Sequence, residues 1–343
     1  MWFRIVAASL LALGAMGAAL AEDWGDVKDA GDYAHSKALC RALRTREPPA
    51  SDRPDAAAAR GLAGCDSEKL YYGIGMAPDP VRARRCAFVE AGTKDGDGPF
   101  SGRAMLMTIY ANGRGAARDL DVATHLACGL DGAPFESDGR VNHLAALKGR
   151  SRAGPDFDYC DDISSGLAMG YCAAHQSEID GVRREAALGR LTAGWTPAER
   201  SAFASLRKAE DTWVDAHGSN EVDLSGTARA AMEIAAEDSL RDSFLETLRT
   251  LSAGKAPHFS AAQSAAADAA LNAAYAKARK AVAADGGPGA PTRDGIREAQ
   301  RAWLRYRDAF LAFAAVKFPG VSRDSLAAWL ARDRTAMLAD PGD

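Results

Sequence analysis

At 343 residues the chain is long enough for two or three small domains with buried cores. Alanine is abundant, aromatic residues make up only 7%, and alternating β-branched runs are nearly absent, which argues against a sheet and for an all-α fold. A formal net charge of −4 without an arginine-rich arm argues against nucleic-acid binding.

Residues 1–21 read as a signal peptide. Arg4 supplies the basic start, Ile5 to Leu20 the apolar run, and Ala19-Leu20-Ala21 the small-residue cleavage site before Glu22. The run is shorter than the ~20 apolar residues of a spanning helix, and no cysteine stands at the cleavage point for lipid attachment. The mature chain is therefore expected to be periplasmic or secreted, with no membrane span. In such an oxidising compartment Cys40, Cys65, Cys86, Cys128, Cys160 and Cys172 are expected to form disulfides, and no CxxC pattern points to a metal or redox site. The expected pairs are neighbours in sequence: Cys40 with Cys65, Cys86 with Cys128, and Cys160 with Cys172.

A helix is predicted over 29–45, carrying Tyr33, Leu39, Cys40 and Leu43. Pro48, Pro49 and Pro54 then interrupt the chain, and Asp55 caps a second helix running toward Leu70. From Tyr71, YYGIGMAPDPVRARRCA is repeated as ANGRGAARDLDVATHLA from Ala111, at a constant offset of 40 residues. Gly73 falls on Gly113, Gly75 on Gly115 and Asp79 on Asp119. Paired glycines permit a positive-φ turn after one helix, and the aspartate starts the next. The pattern resembles the Sel-one-like class of tetratricopeptide-related repeats, which implies a disulfide-stapled, solenoid-like helical-repeat domain over 25–150. Residues 94–99, KDGDGP, read as a loop insertion. The Gly-x-Gly pairs follow no strand and do not continue into a phosphate loop, so the repeat accounts for them.

RSRAGPDF at 150–157 is the expected domain boundary, and 160–172 reads as a turn closed by a disulfide. Helical periodicity returns through Ile179, Val182, Leu188 and Leu191. It stops at Trp195, where Thr196 caps a new helix with Pro197 in its first position and Glu199 in its first turn. That helix runs through Trp213 to a polar turn at 218–223, and another covers 227–251. After the link KAPHFS at 255–260, helices are predicted over 268–282 and 296–318, joined by a loop at 285–292. Ile296, Ala299, Trp303, Tyr306, Phe310 and Phe313 recur at three- and four-residue steps on one face. Pro319-Gly320 ends that helix, and Ser322 caps a last one with Leu326, Leu330 and Leu338 inward.

A second internal repeat emerges here. LRKAEDTWVDAH from Leu206 lies over IREAQRAWLRYR from Ile296 at an offset of 90 residues. Asp268, Leu271, Asn272 and Tyr275, then Ala299, Gln300, Trp303, Arg307 and Asp308, then Arg334 and Leu338, resemble the D..LN..Y, AQ..W...RD, R...L pattern of the LprI-type lysozyme inhibitor family. The resemblance implies two helical-hairpin units, over 160–255 and 260–340, the second clearer than the first. In the earlier unit Glu210 stands at the place of Gln300 and His217 at that of Arg307. Trp213 and Trp303 read either as core anchors or as interface hot spots, and their apolar stripes favour the core. Arg307 and Asp308 read either as exposed ligands or as a clamp at the helix end.

No catalytic group is expected. His35, His125, His143, His175, His217 and His258 are scattered, with no HExxH, no calcium-binding loop and no GxSxG. No metal or cofactor is expected either. The charge is uneven: 22–159 carries 19 basic and 21 acidic residues (net −2), 160–255 carries 10 and 16 (net −6), and 256–343 carries 12 and 9 (net +3). The family resemblance implies a protein partner, lysozyme, blocked by contact. An acidic surface facing a cationic cleft rim would favour such a contact, which makes Asp211, Asp215, Glu221 and Asp223 the candidate protein-binding residues. The alternative is a repeat-based scaffold in the cell envelope without lysozyme inhibition.

Overall fold

The computed structural model describes residues 22–28, 31–93, 98–149, 156–282 and 287–339. The expected signal peptide at 1–21, most of the expected boundary at 150–157, and parts of the loops at 94–99 and 285–292 lie outside them. Among the described residues the regular structure is entirely helical.

Seven helices build the first part: α1 (Ala34–Leu43), α2 (Ala56–Arg60), α3 (Ser67–Tyr72), α4 (Pro80–Glu90), α5 (Gly102–Asn112), α6 (Leu120–Cys128) and α7 (Pro134–Ala146). The helix expected from Asp55 to Leu70 is split into α2 and α3. Asp55 caps α2, but the chain turns at Gly61 and at Gly64, which has positive φ, and Asp66 caps α3. The two stretches at offset 40 share one local design. α3 ends on Gly73 (φ 77°) and α5 on Gly113 (φ 62°), each donating to the carbonyl four residues back. Asp79 and Asp119 then accept from backbone N–H groups of the first turns of α4 and α6. Gly113 is also obligatory for space, since a Cβ there would sit 2.7 Å from the Cβ of Arg118.

All six cysteines form disulfides, but two expected pairs are replaced. Cys40 pairs with Cys128 and Cys65 with Cys86, while Cys160 pairs with Cys172 as expected. The reason is packing. α1 lies on α6 and α7 at the far end of the repeat, where the Trp24 N–H donates to the Cys128 carbonyl at 2.8 Å. Cys65, just before α3, meets Cys86 on the neighbouring α4.

The stretch 160–172 is more than a turn. After a short 3-10 segment at Tyr159–Asp162, α8 begins at Gly166 and runs to Thr192, so Cys172 is helical. Gly166 and Gly170 lie within this helix because they face α10 (Arg229–Ser252) and the chain leading into it. A Cβ on Gly166 would lie 2.3 Å from the Thr227 carbonyl carbon, and one on Gly170 would lie 3.0 Å from the Ala230 Cβ. Close approach, not flexibility, explains these glycines. The first half of α8 also docks on the first core, where His175 stacks on Phe100 (3.9 Å between centroids) and its Nδ1 meets Glu68 at 2.5 Å.

The remaining helices are α9 (Pro197–Glu221), α11 (Ala261–Ala281), α12 (Arg293–Lys317) and α13 (Arg323–Ala339). Thr196 and Glu199 form a capping box on α9, and Ser260 and Gln263 form another on α11. α8 packs on α10, α11 packs on α13, and α9 packs along α12 in the most extensive helix contact among the described residues. Trp213, Phe244, Trp303 and Phe310 join one apolar cluster that runs from Ala187 to Leu338. The stripes of α9 and α12 are therefore buried mainly against each other.

Candidate functional site

The α9/α12 contact carries the polar chemistry of this core. Arg334 on α13 is 0% exposed and reaches across to α9. Its Nη1 and Nη2 donate to the two carboxylate oxygens of Glu221 at 2.7 and 2.5 Å, and its Nε donates to Gln300 Oε1 at 3.0 Å. The guanidinium lies 4.6 Å from the Trp213 ring centre, and His217 Nδ1 lies 2.8 Å from Glu221 Oε2. A planar fork on a carboxylate with an indole beneath it is the geometry that suits arginine and not lysine. Burial raises the Glu221 pKa, but the hydrogen bonds and charges of His217 and Arg334 outweigh it and hold the carboxyl below its ordinary value.

Glu221 therefore departs from the expectation of an outward protein-binding residue, because it is 5% exposed and committed to Arg334. Of the other three candidates, Asp211 and Asp215 are exposed one turn apart on α9. Asp223 is half-buried past the helix end, and its carboxyl is held low by the Ser225 hydroxyl and backbone N–H. At offset 90 the counterparts of Asp211 and Asp215 are Arg301 and Arg305, also exposed, on α12. These two exposed helix faces thus carry opposite charge.

The family-motif residues divide between core and surface. Leu271 and Trp303 are buried, Tyr275 is half-buried, and Gln300 receives Arg334. Asp268 and Asn272 are exposed and bonded to each other at 3.2 Å. Arg307 pairs with its neighbour Asp308 at 2.8 Å and lies over the Trp303 ring at 5.6 Å, both on its own helix. Trp213 is as buried as Trp303, and both lie in the same apolar cluster.

Glu210 is the residue whose importance the sequence reading missed. It stands at the register of Gln300, and Phe244 stands at the register of Arg334, so the carboxylate has no guanidinium fork. It is 1% exposed, neither oxygen accepts a hydrogen bond, and its ion-pair partner is Arg207 Nε at 3.4 Å. Arg207 also serves Glu185 at 2.8 Å. Burial is the main cause of a Glu210 pKa raised from 4.5 to about 7; the charges of Asp211 and Glu185 add to it, and Arg207 and Arg241 oppose it. Extending the offset of 90 from α9/α12 to α10/α13, where Phe244 meets Arg334 and Leu248 meets Leu338, would have exposed the substitution in sequence.

A pH-dependent stability follows. Between about pH 4.5 and about pH 7 the folded chain keeps a proton on Glu210 that the unfolded chain has released, so stability falls as pH rises through that window. Glu210→Gln should stabilise the fold by about 3 kcal/mol near pH 8 and by little near pH 4.5. Urea unfolding of both proteins at the two pH values reads this out. An equal difference at both would show that the charge is not the cause.

Among the described residues no helix is long and apolar enough to cross a membrane. Among the same residues Cys65, Cys86 and Glu90 come together as potential metal ligands, but the two sulfurs are bonded to each other. The molecule is thus an all-helical, disulfide-bonded protein that presents charged helix faces to solvent. Within it, residues 255–338 match the family described as Lysozyme inhibitor LprI, and the match spans α11, α12 and α13. No curated protein and no solved structure matches the chain.

Proposed function

We propose that this chain is an exported, periplasmic or secreted protein that inhibits a lysozyme-type cell-wall hydrolase by protein-protein contact. The family match over 255–338 carries the reading. Three disulfides fit an oxidising, extracytoplasmic compartment. Asp211 and Asp215 supply the contact with the cationic enzyme, since they are exposed and lie on the net-negative stretch 160–255. Neither is held by an ion pair that would have to break first, among those found in the described residues.

Hydrolysis of cell walls by lysozyme, titrated with the oxidised chain, tests this. Inhibition should be saturable, should weaken with salt, and should fall at least roughly tenfold on the paired substitution Asp211→Lys and Asp215→Lys. If Arg301→Glu with Arg305→Glu has that effect instead, the contact lies on α12 inside the family-matched stretch. A folded chain that fails to inhibit at excess would overturn the function. It would also favour the second reading, an envelope scaffold, which rests on the matched glycine turns and Asp caps of α3–α4 and α5–α6.

A further inference from the structure

The Arg334 clamp has a counterpart beside it in the same core. Moving each of its residues by 90 positions puts Phe244 for Arg334, Glu210 for Gln300, Trp303 for Trp213 and Leu311 for Glu221. The first three of these line a cavity of about 90 Å³, together with Tyr306, Ser243, the exposed Asp333, and Trp213 and Arg334 of the clamp itself, whose guanidinium is already committed to Glu221 and Gln300. It keeps the tryptophan, carries its carboxylate at the register of Gln300 because Leu311 stands for Glu221, and lacks the arginine. On the α13 side the chain supplies a guanidinium; on the α10 side it supplies a phenyl ring.

The charge accounting points the same way. At the Arg334 clamp a cation meets one carboxylate and one amide. At its counterpart a buried carboxylate faces aromatic rings, accepts no hydrogen bond, and shares Arg207 with Glu185. Buried carboxylates are ordinarily paired and hydrogen-bonded. A cavity of this size is well below the roughly 300 Å³ of small-molecule sites, so it admits a head group and not a large ligand.

We propose that this cavity binds a monosubstituted guanidinium, with the Glu210 carboxylate accepting from its nitrogens and Trp303 and Phe244 providing the aromatic walls. A guanidinium fits better than an ammonium for two reasons. Its fixed N–H fork satisfies both carboxylate oxygens at once, and its flat face lies on an indole as Arg334 lies on Trp213. The ligand is either a free small cation or an arginine side chain presented by another protein. This assignment does not depend on lysozyme inhibition.

Methylguanidinium titrated into the full oxidised chain, at ionic strength held constant with sodium chloride, is the test. The indole N–H signal of Trp303, assigned with Trp303→Phe, should shift saturably with a dissociation constant on the order of millimolar. Glu210→Gln should weaken binding roughly tenfold, the loss of one charge-assisted contact. In the unaltered chain binding should tighten several-fold from about pH 6 to about pH 8 as Glu210 ionises, and it should be independent of pH in Glu210→Gln. Equal or better binding of an arginine amide assigns the site to arginine side chains, whereas binding of methylguanidinium alone assigns it to free cations. A Trp303 signal that does not move, or affinity unchanged by Glu210→Gln and by pH, overturns the proposal.

Discussion

Replacing Arg334 with methionine is expected to destabilise the fold by about 3 to 5 kcal/mol. The side chain is fully buried and makes three hydrogen bonds, two of them to Glu221. Losing it leaves the Glu221 carboxylate buried with His217 as its remaining side-chain hydrogen-bond partner. The cost arises from that orphaned charge more than from the net value of the pair, because desolvation of both groups already offsets much of their attraction. The double substitution Arg334→Met with Glu221→Met should therefore recover most of the loss. Denaturant unfolding of the two single variants and the double variant measures the coupling. Strict additivity of the two single effects would show that the pair does not act as a unit.

Removing the bridge between Cys40 and Cys128 by paired serine substitution is the second large effect. The two residues are separated by 88 positions, and closing a loop of that length restricts the unfolded chain by about 4 kcal/mol in the chain-entropy account. The loss should exceed that from removing Cys160–Cys172, whose separation is 12. Thermal melts of both double-serine variants order the two effects. Both sulfurs of the longer bridge lie in the first core, so its removal also loosens the seat of α1 on α6 and α7. A larger loss from the short bridge would show that native-state packing, not loop entropy, dominates.

Much of the local structure was legible in the sequence. Thr196, Pro197 and Glu199 announce the start of α9, and Gly73 and Gly113 announce the ends of α3 and α5. Each signal acts within a few residues: a side chain caps its own helix, or a glycine takes a φ that other residues resist. The apolar stripe of α12 was equally clear, because one face of a single helix sets it. The offset of 90 lays α9 over α12, and each of these helices buries a tryptophan, Trp213 and Trp303.

Other features depend on which surfaces meet. Cys40 was expected near Cys65 because they are close in sequence, yet α1 lies against the end of α6, and that placement puts its partner 88 residues away. Gly166 and Gly170 looked like turn residues, when what fixes them is the backbone approaching α8 from the α10 side. Glu221 looked like one more surface acid until α13 brought Arg334 to it from 113 residues away. The sequence by itself determined most of the helices, several of their caps and the commitment of every cysteine to a bridge, because periodicity and capping are short-range. Only the tertiary structure decided which cysteines pair, which acids are buried, and that Glu210 faces a cavity where its counterpart Gln300 meets an arginine, because burial and charge pairing arise only when separate helices pack together.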